Sequence, residues 1–75
     1  SLMLNNNEIV MLRLIEDNPE LTVKEVKREW KRHTGRAEAS TVANNLEARG
    51  LILIERDLDT ILISAEGASL LLRVL

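Results

Sequence analysis

Apolar residues near the start of the chain recur at the spacing of an amphipathic helix. They are Ile9, Val10, Leu12, Leu14 and Ile15. The pattern stops at Asn18-Pro19, because the residue before a proline disfavours helical geometry. The spacing therefore predicts a first helix over residues 7–17.

A second helix is predicted between Thr22 and Gly35. Thr22 is a favourable N-cap, and Glu25 three residues later completes the spacing of a capping box. An apolar face that includes Trp30 continues to Gly35, and glycine is the residue preferred just past a helix end. The same argument predicts a third helix over residues 36–49, since no proline or glycine interrupts that segment. Its apolar stripe consists of Ala39, Val42, Ala43 and Leu46.

After Gly50 the pattern changes to short apolar runs rich in β-branched residues. Residues 51–54 and 61–63 flank the polar stretch 55–60, which predicts a β-hairpin. Ser64 is suited to cap a last helix that starts at Ala65 and continues to the end of the sequence. The predicted fold class is α+β, mostly α, with three helices, a two-stranded hairpin and a C-terminal helix.

The composition describes one small domain over residues 1–75. Hydrophobic residues make up 45% of the chain and aromatic residues only 1%, so Leu, Ile and Val must do nearly all the packing around Trp30. No cysteine is present, and a disulfide therefore cannot support the fold. We expect residues 1–6 to be disordered or foreign to the native chain.

The residues and motifs that several classes of protein function require are absent from this sequence. His33 is the only histidine and there is no thiol, so neither a Cys/His zinc site nor thiol or Ser-His catalysis is expected. No glycine-rich phosphate loop occurs, and the apolar runs are far shorter than the roughly 20 residues of a membrane span. Residues 5–8 are unlike a secretory signal. We expect a cytoplasmic protein that is not an enzyme and that has no cofactor, no metal and no membrane contact.

The order of the elements and three short motifs resemble the winged helix-turn-helix domain of MarR-type regulators. The third helix closes as Leu-Glu-Ala-Arg-Gly-Leu-Ile over residues 46–52, similar to the L-E-x-x-G-L-I step into that family's wing. Residues 61–67 resemble the L-T-x-x-G step out of the wing, and residues 18–23 resemble the start of helix two. The likeness spans about residues 8–72. It implies that helix three lies in the DNA major groove, followed by a wing over residues 51–63.

The face of helix three opposite its apolar stripe carries small neutral side chains. These are Ala37, Ser40, Thr41, Asn44, Asn45 and Ala48. The amide of Asn can form hydrogen bonds with adenine, and the hydroxyl of Ser or Thr can donate or accept a hydrogen bond at a base edge. Direct base readout is therefore chemically feasible. Arg36 and Arg49 stand at the two ends, within reach of phosphates or base edges. An ordinary solvated helix shows the same residues on its exposed face. The expectation that this face contacts DNA therefore depends on the winged-helix fold as well.

The net charge of −2 is unevenly distributed, because one segment of the chain is basic and the rest is acidic. Residues 24–36 contain six bases and two acids, hence +4, and the rest of the chain carries −6. We expect Lys24, Lys27 and Lys31 to bind DNA phosphates. The alternative is a solvated helix with pairs such as Glu29 and Arg32.

The predicted wing tip is acidic, unlike a DNA-binding wing. Glu55, Asp57 and Asp59 accompany the single base Arg56. Either Arg56 alone contacts the DNA backbone or this wing does not touch DNA. A calcium loop is disfavoured, because Thr60 stands where such a loop needs glycine.

The C-terminal segment carries more leucine than one helix can turn inward. A dimer interface is therefore expected at Leu70, Leu71, Val74 and Leu75, with docking of this helix on helix one as the alternative. MarR-like proteins are dimers, so the resemblance also implies that this chain forms a homodimer.

Together these observations predict a sequence-specific transcriptional regulator that binds double-stranded DNA as a homodimer. The second hypothesis is a winged-helix protein interaction module that does not bind DNA, since fold alone does not choose between the two uses.

Overall fold

The computed structural model of the chain describes residues 3–74, and these residues form four helices and a two-stranded antiparallel sheet. The elements in chain order are α1 (Asn6–Asp17), α2 (Val23–Thr34), α3 (Ala39–Ala48), β1 (Ile52–Glu55), β2 (Thr60–Ile63) and α4 (Ala65–Arg73). The predicted α+β class, mostly α, is confirmed. The order of elements is compatible with a winged helix.

Side-chain caps fix where the first two helices begin. The Thr22 hydroxyl accepts the backbone N–H of Glu25 at 3.2 Å, and the Glu25 carboxylate accepts the Thr22 N–H at 2.9 Å, as the sequence predicts. A second capping box, formed by Asn5 and Glu8, starts α1. Asn5 and Asn6, expected to lie outside the fold, therefore belong to the first helix and its cap, whereas Ser1 and Leu2 lie outside the described residues.

The third helix begins three residues later than predicted, at Ala39 and not at Arg36. Gly35 ends α2 in the left-handed region at φ 70°, and the next backbone N–H, that of Arg36, is donated to the Thr34 hydroxyl at 3.1 Å. The first backbone hydrogen bond of α3 runs from the Val42 N–H to the Glu38 carbonyl at 3.1 Å, so residues 36–38 form the connection between the two helices. Arg36 and Ala37 thus precede the helix.

The hairpin turns its isoleucines inward. Ile52 pairs with Ile63 and Ile54 with Ile61, while the pair between them, Leu53 and Leu62, faces outward. Because side chains alternate across a strand, this register places both leucines on the solvent side. The segment before α2 extends the sheet through a bridge between Thr22 and Thr60.

The core is aliphatic around a single aromatic ring. Trp30 is fully buried, and α1 packs against α2, α3, α4 and β2. Leu71 of α4 is 1% exposed, so the last helix docks on the body of the protein through this residue. The surrounding buried residues are Met11, Leu12, Ile15, Val26, Ala39, Val42, Ala43, Leu46, Leu51, Ile52 and Ile61.

Candidate nucleic-acid interface

The outward face of α3 carries polar side chains with no partner inside the protein. Ser40, Thr41, Asn44 and Asn45 are all exposed. None of these side chains makes a hydrogen bond to another residue within 3–74. On the other side of the helix, Val42 and Leu46 pack into the core and hold this face in place. The donors and acceptors on α3 are therefore available to a ligand.

The bases of α2 are free of ion pairs on one side of the helix. Lys24, Arg28 and Lys31 are exposed and Lys27 is half-buried, and none lies within 4.0 Å of a carboxylate among residues 3–74. Arg28 is one of the six bases in residues 24–36, and the sequence pattern alone does not single it out. Its position on the helix surface adds it to this group.

The two acids of α2 are occupied elsewhere. The Glu29 carboxylate pairs with Arg32 at 2.9 Å and lies 3.6 Å from His33 Nε2. The Glu25 carboxylate forms part of the N-terminal cap of α2. The pKa of the Glu25 carboxyl is lowered mainly by the hydrogen bond from the Thr22 backbone N–H, and the Thr22 hydroxyl and Arg28 lower it further. The expected pairing within the helix thus neutralises Arg32 and leaves the lysines uncompensated.

A cleft brings α2, α3 and the hairpin together. Lys27 and Asn44 line it with Arg56 and Asp59 of the hairpin, and its volume is about 180 Å³. The lysine expected on phosphates and the asparagine expected on a base thus belong to one surface.

Arg56 is held by a carboxylate of α3. Its guanidinium donates to both oxygens of Glu47, at 3.0 and 3.1 Å, in a bidentate pair. This hydrogen bonding lowers the pKa of Glu47 and raises that of Arg56. The only base of the hairpin tip is therefore compensated internally, and Glu47 is a residue of this surface that the sequence pattern did not single out.

Arg49 is also engaged within the protein. Its guanidinium lies 2.7 Å from the Glu8 carboxylate and donates to the Met3 carbonyl at 3.1 Å. The Glu8 side chain is only 7% exposed, and a buried carboxylate requires such a partner. Arg49 consequently joins the end of α3 to the start of α1 in place of reaching outward.

Arg36 remains more accessible at the other end of α3. Its side chain is 57% exposed, donates to Asn7 Oδ1 at 2.8 Å and lies 3.7 Å from Glu38. Among the three arginines predicted to contact DNA, this one has the longest contact with its carboxylate partner, since the Arg49–Glu8 and Arg56–Glu47 distances are 2.7 and 3.0 Å.

The C-terminal residues divide between core and surface. Leu71 is buried and offers no side chain to a partner, Leu70 is half-buried, and Val74 is 47% exposed. Leu75 lies outside the described residues.

Residues 3–74 contain neither a metal-site cluster nor a membrane-spanning helix. No three His, Cys, Asp or Glu side chains in this range are grouped as a metal site requires. None of the helices described here has the length and apolar character needed to cross a bilayer.

Comparison with protein-family models, with curated proteins and with solved structures produced no match.

Proposed function

We propose that this chain is a winged helix-turn-helix domain of the MarR-like type that binds double-stranded DNA as a transcriptional regulator in the cytoplasm. The observation that carries this proposal is the cleft shared by Lys27 and Asn44, which joins a row of bases outside ion pairs to a face of unpartnered small polar residues. Phosphate contacts and base contacts are the two components that specific DNA binding requires. The β1–β2 hairpin corresponds to the wing.

The proposed mechanism is binding without chemistry. The ten-residue α3 is about 15 Å long and fits a major groove about 12 Å wide. Ser40, Thr41, Asn44 and Asn45 then meet base edges. The bases of α2 position the protein on phosphates, and two copies bind a pseudo-palindromic site.

The salt dependence of binding to a labelled duplex of about 25 base pairs tests the phosphate contacts. If Lys24, Lys27, Arg28 and Lys31 each neutralise one phosphate, the affinity falls about 100-fold per protomer between roughly 0.05 and 0.2 M salt. Fluorescence anisotropy of the duplex measures this change. A folded protein that leaves the anisotropy unchanged at the lower salt concentration contradicts the proposal.

Glu47→Gln is expected to tighten DNA binding about fivefold at low salt and to increase the salt slope by about 1. The substitution removes the carboxylate that holds Arg56, so the arginine becomes available to a phosphate. Because the pKa of Glu47 lies below its ordinary value, the pair persists at neutral pH and is lost only when the pH falls through that lowered pKa.

Glu16→Gln is the matched control for this variant. Glu16 is exposed on α1 and forms no ion pair among residues 3–74, so its neutralisation changes the net charge equally. Equal effects of the two variants in the anisotropy titration would show that the hairpin does not approach DNA.

The hairpin also provides an observation that favours the second candidate, a protein interaction module. Leu53 and Leu62 are directly paired and 60% and 48% exposed, and Leu58 at the tip is 71% exposed. Leucines on a solvent-facing sheet are typical of an interaction surface. Absence of duplex binding by the folded chain would favour this function, and a partner that no longer binds after Leu53→Ser with Leu62→Ser would establish it.

A further inference from the structure

One side of α4 carries an acid, an apolar residue and a base in line. Glu66, Ser69, Leu70 and Arg73 line a single cleft of about 410 Å³ together with Leu51, Ala65 and Arg49, and the Arg49 guanidinium is paired with Glu8. Glu66 and Arg73 are both exposed, and neither forms an ion pair with any residue from 3 to 74. The stripe therefore presents two uncompensated opposite charges around Leu70.

The two charges stand seven residues apart, which is about 10.5 Å along the helix and nearly two full turns. If a second α4 packs antiparallel with the two-fold axis between Ser69 and Leu70, residue 66 of each helix lies beside residue 73 of the other. Two reciprocal carboxylate–guanidinium pairs then form at the ends, as an isologous interface requires.

The centre of this arrangement is apolar and has room for close packing. Leu70 of each copy lies against the small Ser69 of the other, which suits the 8–10 Å separation of packed helices. A second cleft, of about 320 Å³ and lined by Met3, Leu4, Leu70, Arg73 and Val74, continues the apolar surface on the adjoining side.

We propose that the partner of this surface is a second copy of the chain, bound antiparallel along α4 with Glu66 of each copy paired to Arg73 of the other. The charge pattern complements itself only in the antiparallel orientation, which selects another copy as the occupant. Leu72 is 70% exposed but lines neither cleft and stays outside the interface. The exposed residues of α3 also lie outside both clefts and remain free in each copy.

This interface specifies the homodimer of the proposed function, and it is tested without DNA. Sedimentation equilibrium measures self-association of wild type, Glu66→Arg and Arg73→Glu. Wild type is expected to dimerise, and each variant is expected to dimerise about 10- to 30-fold more weakly, because both pairs become repulsive. An equimolar mixture of the two variants is expected to recover the dimer, since opposite charges then face each other at both ends.

The mixture is the decisive measurement, because recovery of the dimer also shows that both variants fold. Arg13→Glu and Glu16→Arg make the same charge changes on the exposed side of α1 and are expected to leave wild-type dimerisation unchanged, as is Leu72→Ser. A monomeric wild type at about 100 μM, single variants that dimerise like wild type, or a mixture that stays monomeric would each overturn the proposal. Duplex binding by a wild-type monomer would leave the proposed DNA function in place.

Discussion

Replacing both Lys27 and Lys31 with glutamate is expected to weaken binding to every duplex by about 100-fold at low salt. Each substitution removes a cation that neutralises a phosphate and puts a repelled carboxylate in its place. The loss is independent of sequence, because phosphates carry no base information. The anisotropy titration measures the affinity, and circular dichroism verifies that α2 is retained.

Two variants distinguish this effect from general charge repulsion and from base readout. Arg13→Glu changes the charge of α1 by the same amount per substitution and is expected to alter the affinity little. Asn44→Ala is expected to reduce the preference between duplexes, because a bidentate amide contact contributes about 1–3 kcal/mol of discrimination. Equal losses on all duplexes from Lys27→Glu/Lys31→Glu and Asn44→Ala would contradict the roles assigned to α2 and α3.

Gly67→Ala is expected to destabilise the fold by about 3 kcal/mol and to lower Tm by about 15 °C. Alanine favours an exposed helix over glycine by about 1 kcal/mol, so the expected sign is opposite to that of helix propensity. A Cβ at Gly67 would overlap the Leu51 carbonyl oxygen. That oxygen accepts the Ser64 N–H at 3.0 Å and has little freedom to move away.

Gly35→Ala provides the matched control for Gly67→Ala. Gly35 has φ 70° but open space where a Cβ would lie, so only backbone strain of about 1 kcal/mol is expected there. Thermal unfolding followed by circular dichroism compares the two. A Gly67→Ala variant as stable as the Gly35→Ala variant would show that α4 shifts away from Leu51 at little cost.

Local signals in the sequence were sufficient to predict most of the secondary structure. The capping box at Thr22, the glycine after α2 and the alternation of the hairpin each depend on residues close together in the chain. The predicted start of α3 was wrong because Glu38, the residue before the helix, makes no side-chain cap, so the sequence carries no capping signal at that point.

The arginines of the candidate site show the limit of the sequence argument. Glu8 and Arg49 are 41 positions apart, and Glu47 and Arg56 are nine apart in different elements. Only the packed fold brings these groups together, so no spacing rule indicates that the two arginines are engaged. The faces of α2 and α3, in contrast, follow from helical periodicity within one element.

Because Trp30 is buried, its intrinsic fluorescence reports on the folded state of the protein. The indole is 0% exposed, is the only aromatic group in the chain, and its Nε1–H has no hydrogen-bond partner among residues 3–74. Its emission in the folded state therefore reports an apolar environment, and unfolding moves that emission to longer wavelength from a single source. Because the ring is fully buried, quenching of its fluorescence on addition of DNA would signal rearrangement of the core and not stacking on a nucleotide.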